Sequence, residues 1–92
     1  MIITLKDKET ESLSKGNKVS KFTNYESPAR RKLAYLAAAV KLEDLRAPPG
    51  NRLEQLEGDR KGQHSIRIND QYRICFIWID CHAYEVEITD YH

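Results

Sequence analysis

The 92-residue sequence contains two cysteines, one tryptophan, three prolines and four glycines, and it lacks any long apolar run. Its longest apolar stretch, LAYLAAAV, is far shorter than the roughly 20 residues that a membrane-spanning helix needs. The first residues, MIITLKDKE, lack the apolar core and small-residue cleavage site of a signal peptide. We therefore expect a cytoplasmic protein with no membrane partner.

The two cysteines, Cys75 and Cys81, lie in what the pattern predicts to be one strand and its turn. An extended segment of that length spans roughly 20 Å, whereas a disulfide needs Cα atoms within about 7 Å. We therefore predict two free thiols, Cys75 in the core and Cys81 in the turn. Together with His64 and His82 they lack the CxxC and HxxxH spacings of zinc sites, and the glycines form no phosphate-binding loop. We expect neither a metal nor another cofactor.

The formal net charge is only +1, so composition alone does not indicate nucleic-acid binding. Charge is nevertheless unevenly distributed along the chain. Basic residues are concentrated at 30–32 and between 46 and 73, whereas the segment after residue 80 contains acids but no lysine or arginine. This predicts a polarised surface if the fold keeps the two segments apart. The length leaves room for one core, so we predict a single domain over residues 1–92.

The N-terminal half predicts a short strand and two helices. MIITL is typical of a strand, and DKETESLSKGN predicts a short helix that Asp7 caps and Gly16 ends. The main helix is predicted to begin at Ser27–Pro28, with the serine hydroxyl as its cap, and to continue weakly through KLEDL until the prolines at 48 and 49. Its buried face is predicted from the 3.6-residue period to be Leu33, Leu36, Ala37 and Val40.

The C-terminal half predicts an antiparallel meander. QHSIRIN, YRICFIWI and AYEVEITDYH are predicted strands, separated by turns at residues 69–71 and 80–82. YRICFIWI is apolar at both parities, so we expect a central strand that is covered on both faces. In the last strand we expect Tyr84, Val86 and Ile88 to point inward. The element order predicts an α+β class, a compact antiparallel β-sheet packed with N-terminal helices.

The sequence ends in a carboxylate, a phenol and an imidazole: Asp90, Tyr91 and His92. Imidazole titrates near neutral pH and can exchange a proton at physiological pH, while a neighbouring carboxylate raises its pKa and orients the ring. We therefore consider the tripeptide a candidate for proton transfer. The alternative is a solvated tail without a role.

Two basic segments are candidates for phosphate contact. Residues 30–32 place positive charge in the first turn of the main helix, where the helix dipole opposes it. The second segment interleaves basic residues with Tyr72 and His64, as expected of a single-stranded RNA surface. The candidates are Arg30, Arg31, Lys32, Arg60, Lys61, Arg67 and Arg73. A solvated helix face and charged protection of a sheet edge are the alternatives.

The segment from LRAPPGNRLEQLEGDRKGQHSIRINDQYRICFIWID to VEITDYH resembles the HigB-like toxins of the RelE superfamily. These toxins belong to bacterial type II toxin–antitoxin systems. The resemblance implies a RelE-like microbial ribonuclease fold and an endoribonuclease that cuts mRNA in the ribosomal A site by 2′-hydroxyl attack. It also implies three kinds of partner: a helix-turn-helix, HigA-like antitoxin, the ribosome with its mRNA, and operator DNA bound through the antitoxin.

The resemblance also implies roles for individual residues. His92 and Asp90 would form the proton-transfer pair, Tyr91 would position the base or backbone, and Arg73 and Arg67 would hold the phosphate. Residues 30–32 would grip ribosomal RNA, with Arg60 and Lys61 as further RNA contacts.

One position departs from the family pattern. Relatives carry a catalytic lysine just before the Gly-Asp-Arg step, where this chain has Glu57. Either Lys61 or an arginine substitutes for it, or activity is weaker, or the carboxylate acts as a base. A non-catalytic ribosome-binding or RNA-binding growth inhibitor is the alternative function, as is a co-repressor acting with its antitoxin.

Overall fold

The computed structural model describes residues 1–90; Tyr91 and His92, two of the predicted catalytic residues, lie outside the described residues. Two α-helices, α1 (Lys8–Ser14) and α2 (Glu26–Ala38), precede a four-stranded sheet. The strands are β1 (Glu54–Gln55), β2 (His64–Arg67), β3 (Tyr72–Ile79) and β4 (His82–Asp90). Four short 3₁₀ segments connect them: Ser20–Tyr25, Leu42–Arg46, Pro49–Asn51 and Gly58–Arg60.

Helix α1 forms where the sequence predicts it. The Asp7 carboxylate accepts a hydrogen bond from the Thr10 backbone N–H at 2.7 Å and so caps the first turn. The helix ends before Gly16, whose φ of 92° is a left-handed conformation that glycine adopts without a side-chain clash. Both predicted ends of this helix are confirmed.

Helix α2 begins at Glu26, one residue before the predicted Ser27–Pro28 opening, and has no side-chain cap. The 3₁₀ turn over Ser20–Tyr25 runs directly into the helix and supplies its first turn. Ser27 therefore lies inside the helix and is exposed, so the predicted serine cap is wrong.

The buried face of α2 is also rotated relative to the prediction. Leu33 and Leu36 are buried as expected, but Ala37 is exposed. Val40 is 63% exposed, because the helix ends at Ala38 and the backbone becomes extended at Ala39. The predicted continuation through KLEDL is instead a separate 3₁₀ turn, Leu42–Arg46.

The sheet has the order β1-β2-β3-β4, and all three pairings are antiparallel. The predicted first strand, MIITL, runs beside β4 in the parallel sense. It makes two isolated bridges, Ile2 to Ala83 and Leu5 to Val86, rather than a continuous ladder. The meander of residues 64–90 is confirmed, including both of its turns.

A β-bulge in β4 changes which side chains point inward. Cys75 pairs with Glu87 but Ile77 pairs with Tyr84, so β4 contains one extra residue between these pairs. Glu85 has a φ of 52° at this point. Tyr84 therefore faces the same side as Ile77 and is half-buried, so its predicted inward orientation is wrong. Val86 faces the core, as predicted.

One face of the sheet packs against the helices and forms the core. Ile66, Ile74 and Phe76 on that face are buried together with Leu36 of α2. On the opposite face Cys75 is fully buried, which confirms coverage of both faces at the middle of β3. Cys81 is exposed in the next turn and both thiols are free, as predicted. Within residues 1–90 no helix is long and apolar enough to cross a membrane.

Candidate functional site

We call the face of the sheet opposite the helices the open face. Near the turn between β2 and β3 it carries a cleft of about 360 Å³. The register pairs Arg67 directly with Arg73, so both guanidinium groups project from this face. We call this space the arginine cleft. Its lining residues are Arg52, Glu54, Arg67, Asn69, Asp70, Gln71 and Arg73. Three cations and two carboxylates therefore surround a space that is large enough for a phosphodiester.

Arg73 is the most enclosed cation of the arginine cleft, with 11% of its side chain exposed. Its Nε donates to Ser65 Oγ at 2.7 Å, and its Nη2 donates to the Arg52 carbonyl oxygen at 2.6 Å. A carboxylate oxygen of Glu54 lies 3.9 Å from the same Nη2. The guanidinium group is thus fixed by contacts with β1, β2 and the Arg52 backbone.

Arg67 forms an ion pair with Asp70 across the β2–β3 turn. Asn69 organises this turn, because its Oδ1 accepts hydrogen bonds from the backbone N–H groups of Gln71 at 2.9 Å and Tyr72 at 2.8 Å. The sequence predicted the turn and the two arginines, and the structure brings Arg67 and Arg73 together in one cleft.

Arg52 and Glu54 of the arginine cleft were neither candidate site residues nor part of the turn that the sequence predicted. Arg52 is exposed and has left-handed backbone angles, φ 44° and ψ 58°, which cost a non-glycine residue on the order of 1–2 kcal/mol. Glu54 is 51% exposed and lies on β1, opposite Ser65 of β2. Their only sequence signal is their position in NRLEQL, within the segment that resembles the HigB-like toxins.

Asp90 ends β4 and pairs with Tyr72, so the strand is anchored up to its last described residue. Strand alternation places Asp90 on the helix side with Ile88, whereas Arg73 is paired with Thr89 and faces the open side. Gln71 connects the two sides at the sheet rim, because its Nε2 donates to Asp90 Oδ2 at 3.1 Å.

A second recess of about 380 Å³ lies on the helix side of this rim and includes Asp90, Tyr72 and Lys21. Tyr72 stacks on Tyr25 with ring centroids 4.2 Å apart. Burial is the main cause that raises the pKa of Tyr25, and the neighbouring Tyr72 hydroxyl and Asp90 carboxylate raise it further. The end of β4 is therefore packed beside a stacked aromatic pair.

The predicted basic patch at residues 30–32 is not continuous. Arg30 pairs with Glu26 at 2.9 Å and donates to the Asn17 carbonyl oxygen at 3.0 Å. Lys32 is buried, and its Nζ donates to Asn51 Oδ1 at 2.5 Å. Only Arg31 of the three is exposed, because successive residues of a helix point about 100° apart. A direct RNA contact by Lys32 does not fit its burial.

Burial lowers the pKa of Lys32, and the positive charges of Arg31 and Arg67 lower it further.

The other predicted RNA contacts lie away from the arginine cleft. Arg60 pairs with Glu87 at 2.7 Å and also donates to Gln63. Lys61 and Glu57 are exposed near the 3₁₀ turn Gly58–Arg60, and neither lines the cleft. Among the described residues, no three His, Cys, Asp or Glu side chains are grouped so that they could hold a metal ion.

Comparison with known proteins identifies similar chains. A family model described as the RelE-like toxin of the type II toxin–antitoxin system HigB matches residues 6–92. Toxin HigB-1 of Vibrio cholerae serotype O1 is 45% identical over 82 residues, which span 87% of this chain and 86% of that protein. An uncharacterized protein of Haemophilus influenzae is 37% identical over 65 residues, which span 61% of this chain and 64% of that protein.

The fold is also found in a solved structure. A chain of the YoeB–YefM toxin–antitoxin complex from Staphylococcus aureus superposes with a TM-score of 0.59 at 20% identity. The match covers 100% of this chain and 95% of that chain. At this identity the likeness concerns the arrangement of helices and strands, and it agrees with the predicted RelE-like fold.

Proposed function

Because the chain belongs to the HigB-like family of RelE-like toxins of type II toxin–antitoxin systems, we propose that it is a ribosome-dependent endoribonuclease that cleaves mRNA in the A site. Ribosome-dependent mRNA cleavage is the known kind of activity in this family. The observation that carries the proposal for this chain is the arginine cleft, which gathers three guanidinium groups beside the anchored end of β4.

In the proposed reaction the 2′-oxygen of one nucleotide bonds to the adjacent phosphorus, and the bond from phosphorus to the 5′-oxygen breaks. A base removes one proton from the 2′-hydroxyl, and an acid gives one proton to the departing 5′-oxygen. Negative charge accumulates on the phosphate oxygens in between, and fixed guanidinium groups stabilise that charge. Arg67 and Arg73 border the space where such a phosphate fits.

We assign proton transfer to Asp90 and His92, and positioning of the base or backbone to Tyr91. Asp90 is hydrogen-bonded to Gln71, which lines the arginine cleft. The anchoring of β4 up to Asp90 supports this assignment, because it holds the Asp90 carboxylate next to a residue of the arginine cleft.

Glu54 is a second candidate for the proton acceptor. Its carboxylate lies in the arginine cleft, 3.9 Å from the Arg73 guanidinium group, and it is accessible to a ligand. Glu57, which stands where relatives have a lysine, does not line the cleft. If a carboxylate takes over the role of the lysine that relatives carry at position 57, Glu54 is therefore better supported as the base than Glu57.

The proposed partners are a helix-turn-helix, HigA-like antitoxin, operator DNA bound through it, and the ribosome with its mRNA. A cytoplasmic location follows from that substrate. Of the proposed ribosomal RNA contacts we retain the exposed residues Arg31 and Lys61. Arg30, Lys32 and Arg60 already have partners within the protein, so we do not retain them as primary contacts.

The test is a reconstituted translation reaction in which mRNA cleavage is measured on ribosomes with an open A site. We expect His92→Gln and Asp90→Asn to lower the cleavage rate constant by about 10²-fold or more. Glu54→Gln should lower it to a similar extent if Glu54 accepts the 2′-hydroxyl proton. Glu43→Gln is the matched control, because Glu43 is an exposed carboxylate outside the cleft.

The proposed chemistry is wrong if His92→Gln and Asp90→Asn both cleave within about threefold of the wild-type rate. Growth inhibition that survives His92→Gln but disappears when Arg31 and Lys61 are changed to Glu would instead support the non-catalytic, ribosome-binding alternative.

A further inference from the structure

We infer that Arg52 is the side chain that contacts the reacting phosphate, and that Arg73 is a positioning residue that holds the Arg52 backbone in place. This inference rests on the proposed cleavage of RNA at the arginine cleft. It differs from the sequence-based assignment, in which Arg73 holds the phosphate itself and Arg52 has no role.

The guanidinium group of Arg73 is largely occupied by contacts within the protein. Its Nε is bonded to Ser65 Oγ, and its Nη2 is bonded to the Arg52 carbonyl oxygen at 2.6 Å. Only 11% of the side chain is exposed. A phosphate would have to compete with these contacts or reach the remaining Nη1 edge.

Arg67 also has a partner within the protein. It forms an ion pair with Asp70 across the β2–β3 turn, and 29% of its side chain is exposed. A phosphate that binds to Arg67 must share it with a carboxylate, and the two negative groups would repel each other.

Arg52 differs from both of these arginines. It lines the same cleft and is exposed, and its side chain makes no hydrogen bond or ion pair with any other residue between 1 and 90. A phosphate that enters the cleft can therefore bind this guanidinium group without breaking an existing contact. An arginine can present two parallel N–H donors to a phosphate, which fixes its orientation.

The backbone at Arg52 is held on both sides in its left-handed conformation. Before it, Asn51 is fully buried and bonded to Lys32 Nζ and to the Leu45 and Ala47 carbonyl oxygens. At Arg52 itself, the N–H donates to the Pro49 carbonyl oxygen at 3.2 Å, while the carbonyl oxygen accepts from Arg73. Unfavourable backbone angles persist where the surroundings over-determine them, and they are enriched at ligand-binding sites.

This arrangement makes a specific claim about coupling. If Arg73 acts through Arg52, removing Arg73 has an effect only while the Arg52 guanidinium group is present. If both arginines instead touch the phosphate, their losses multiply. A double-mutant cycle separates these two cases.

The experiment measures single-turnover cleavage on ribosomes with Arg52→Asn, Arg52→Lys, Arg73→Gln and the Arg52→Asn/Arg73→Gln double variant. Asparagine tolerates left-handed backbone angles, so Arg52→Asn removes the charge without new strain. Arg73→Lys is included because lysine can still donate to the Arg52 carbonyl oxygen. Arg46→Asn is the matched control, because Arg46 is an exposed arginine at the end of the 3₁₀ turn Leu42–Arg46, outside the cleft.

We expect Arg52→Asn to lower the rate constant by about 10²-fold and to raise the half-saturating ribosome concentration by no more than about tenfold. Arg52→Lys should recover most of the rate, and Arg46→Asn should match the wild type. The double variant should be within about threefold of Arg52→Asn alone. Thermal unfolding of each variant shows whether a loss of rate reflects a loss of fold. If Arg73→Gln does not fold, the rate of Arg52→Asn relative to the wild type and Arg46→Asn decides the inference alone.

The inference is overturned if Arg52→Asn cleaves within about threefold of the wild type, or if the losses from Arg52→Asn and Arg73→Gln multiply in the double variant.

A second measurement separates this inference from the proposed function. Ribosomes carrying an mRNA with a 2′-O-methyl group at the scissile nucleotide cannot be cut, and toxin binding to them is measured against salt concentration. We expect Arg52→Asn to reduce the salt slope by about one unit and Arg46→Asn to leave it unchanged. If the wild type cleaves nothing but this difference persists, the nuclease proposal fails and the Arg52 contact stands. If the wild type cleaves and the slope does not change, the Arg52 contact fails.

Discussion

Asn51 connects α2 to the loop before β1, and Asn51→Ala is the substitution that tests this connection. The side chain is fully buried. Its Oδ1 accepts from Lys32 Nζ at 2.5 Å, and its Nδ2 donates to the carbonyl oxygens of Leu45 at 3.1 Å and Ala47 at 3.2 Å. Alanine would leave the Leu45 carbonyl oxygen buried without this donor, and the half-buried Ala47 carbonyl oxygen with access to water. The buried Lys32 ammonium would lose its oxygen acceptor and keep the Tyr35 ring, whose centroid lies 5.3 Å from Nζ.

The expected cost follows from these three groups. A buried carbonyl oxygen without a partner costs about 1–3 kcal/mol, and a charged group costs more. Since water can reach the Ala47 carbonyl oxygen, we expect Asn51→Ala to lower the free energy of unfolding by about 4 kcal/mol in total. A small domain has a stability on the order of 5–15 kcal/mol, so the variant should fold but unfold at a much lower urea concentration.

Lys32→Met provides the partner measurement. It removes the costly buried ammonium group but leaves Asn51 Oδ1 without a donor, so we expect stability within about 1 kcal/mol of the wild type. In the double variant, Asn51→Ala no longer leaves a buried charge without its oxygen acceptor. The loss of unfolding free energy in the double variant should therefore be about 1–3 kcal/mol smaller than the sum of the two single losses.

Burial lowers the pKa of Lys32, so the folded state binds its proton less readily than the unfolded state. Wild type should therefore gain stability relative to Lys32→Met as the pH rises toward the ordinary lysine pKa.

The assay is urea unfolding at pH 7, monitored by the fluorescence of Trp78. All variants also carry His92→Gln, so that the toxin does not stop the growth of the cells that produce it. Asn17→Ala is the control, because Asn17 is exposed, and it should change the free energy of unfolding by less than about 0.5 kcal/mol. A loss below about 1 kcal/mol for Asn51→Ala, or strictly additive effects in the double variant, would refute the reasoning.

Two further predictions concern β2 and the β3–β4 turn. Burial lowers the pKa of His64, whose Nδ1 has no partner among the described residues, so the unfolded state takes up a proton that the folded state resists. The free energy of unfolding should therefore fall as the pH drops below about 6.5. Urea unfolding at pH 5.5 and 7.5 should show a smaller fall in His64→Gln than in the wild type. An equal fall in the two proteins would contradict the assignment. Cys81 has a φ of 69° next to Asp80 at 50°, so Cys81→Gly should raise the free energy of unfolding by about 0.5 kcal/mol and Cys81→Ser should not. Equal stability of these two variants would argue against backbone strain in the turn.

The meander was predictable because its hydrophobic pattern has one interpretation. YRICFIWI is too apolar for a surface strand, and Asn69 and Asp80 mark the turns on either side of it. The bulge in β4 was not predictable, because Glu85 is an ordinary residue in an alternating pattern. The extra residue is visible only from the pairing with β3, and it reverses the orientation expected for Tyr84.

The errors in the helical half have a different physical cause. A serine followed by proline is a good local signal for a helix start, but the preceding 3₁₀ turn had already begun the helix at Glu26. Lys32 looked like a surface cation because lysine is rarely buried. Its burial depends on Asn51, which is 19 residues away and supplies the oxygen that makes burial tolerable. Such tertiary partners leave no periodic signal in the sequence.

Of the four functional candidates that line the cleft, two could be predicted from the sequence. Arg67 and Arg73 follow from strand alternation and a three-residue turn, which place them opposite each other. Arg52 and Glu54 were missed because β1 has only two residues, both exposed, and therefore shows no alternation. Their place in the cleft depends on the pairing of Glu54 with Ser65, a contact that no local pattern encodes.

The same register that joins the two arginines separates them from the last described residue of β4. Asp90 pairs with Tyr72 and faces the helices, while Arg73, one residue further along β3, faces the open side. A phosphodiester that contacts both must therefore sit at the rim of the sheet, where Gln71 spans the two faces. The rim is rigid because the Asn69 side chain holds the backbone N–H groups of the turn. If RNA is cleaved at this site, as we propose, the turn and the end of β4 must keep a fixed separation. The pairing of Tyr72 with Asp90 is the contact that holds them together.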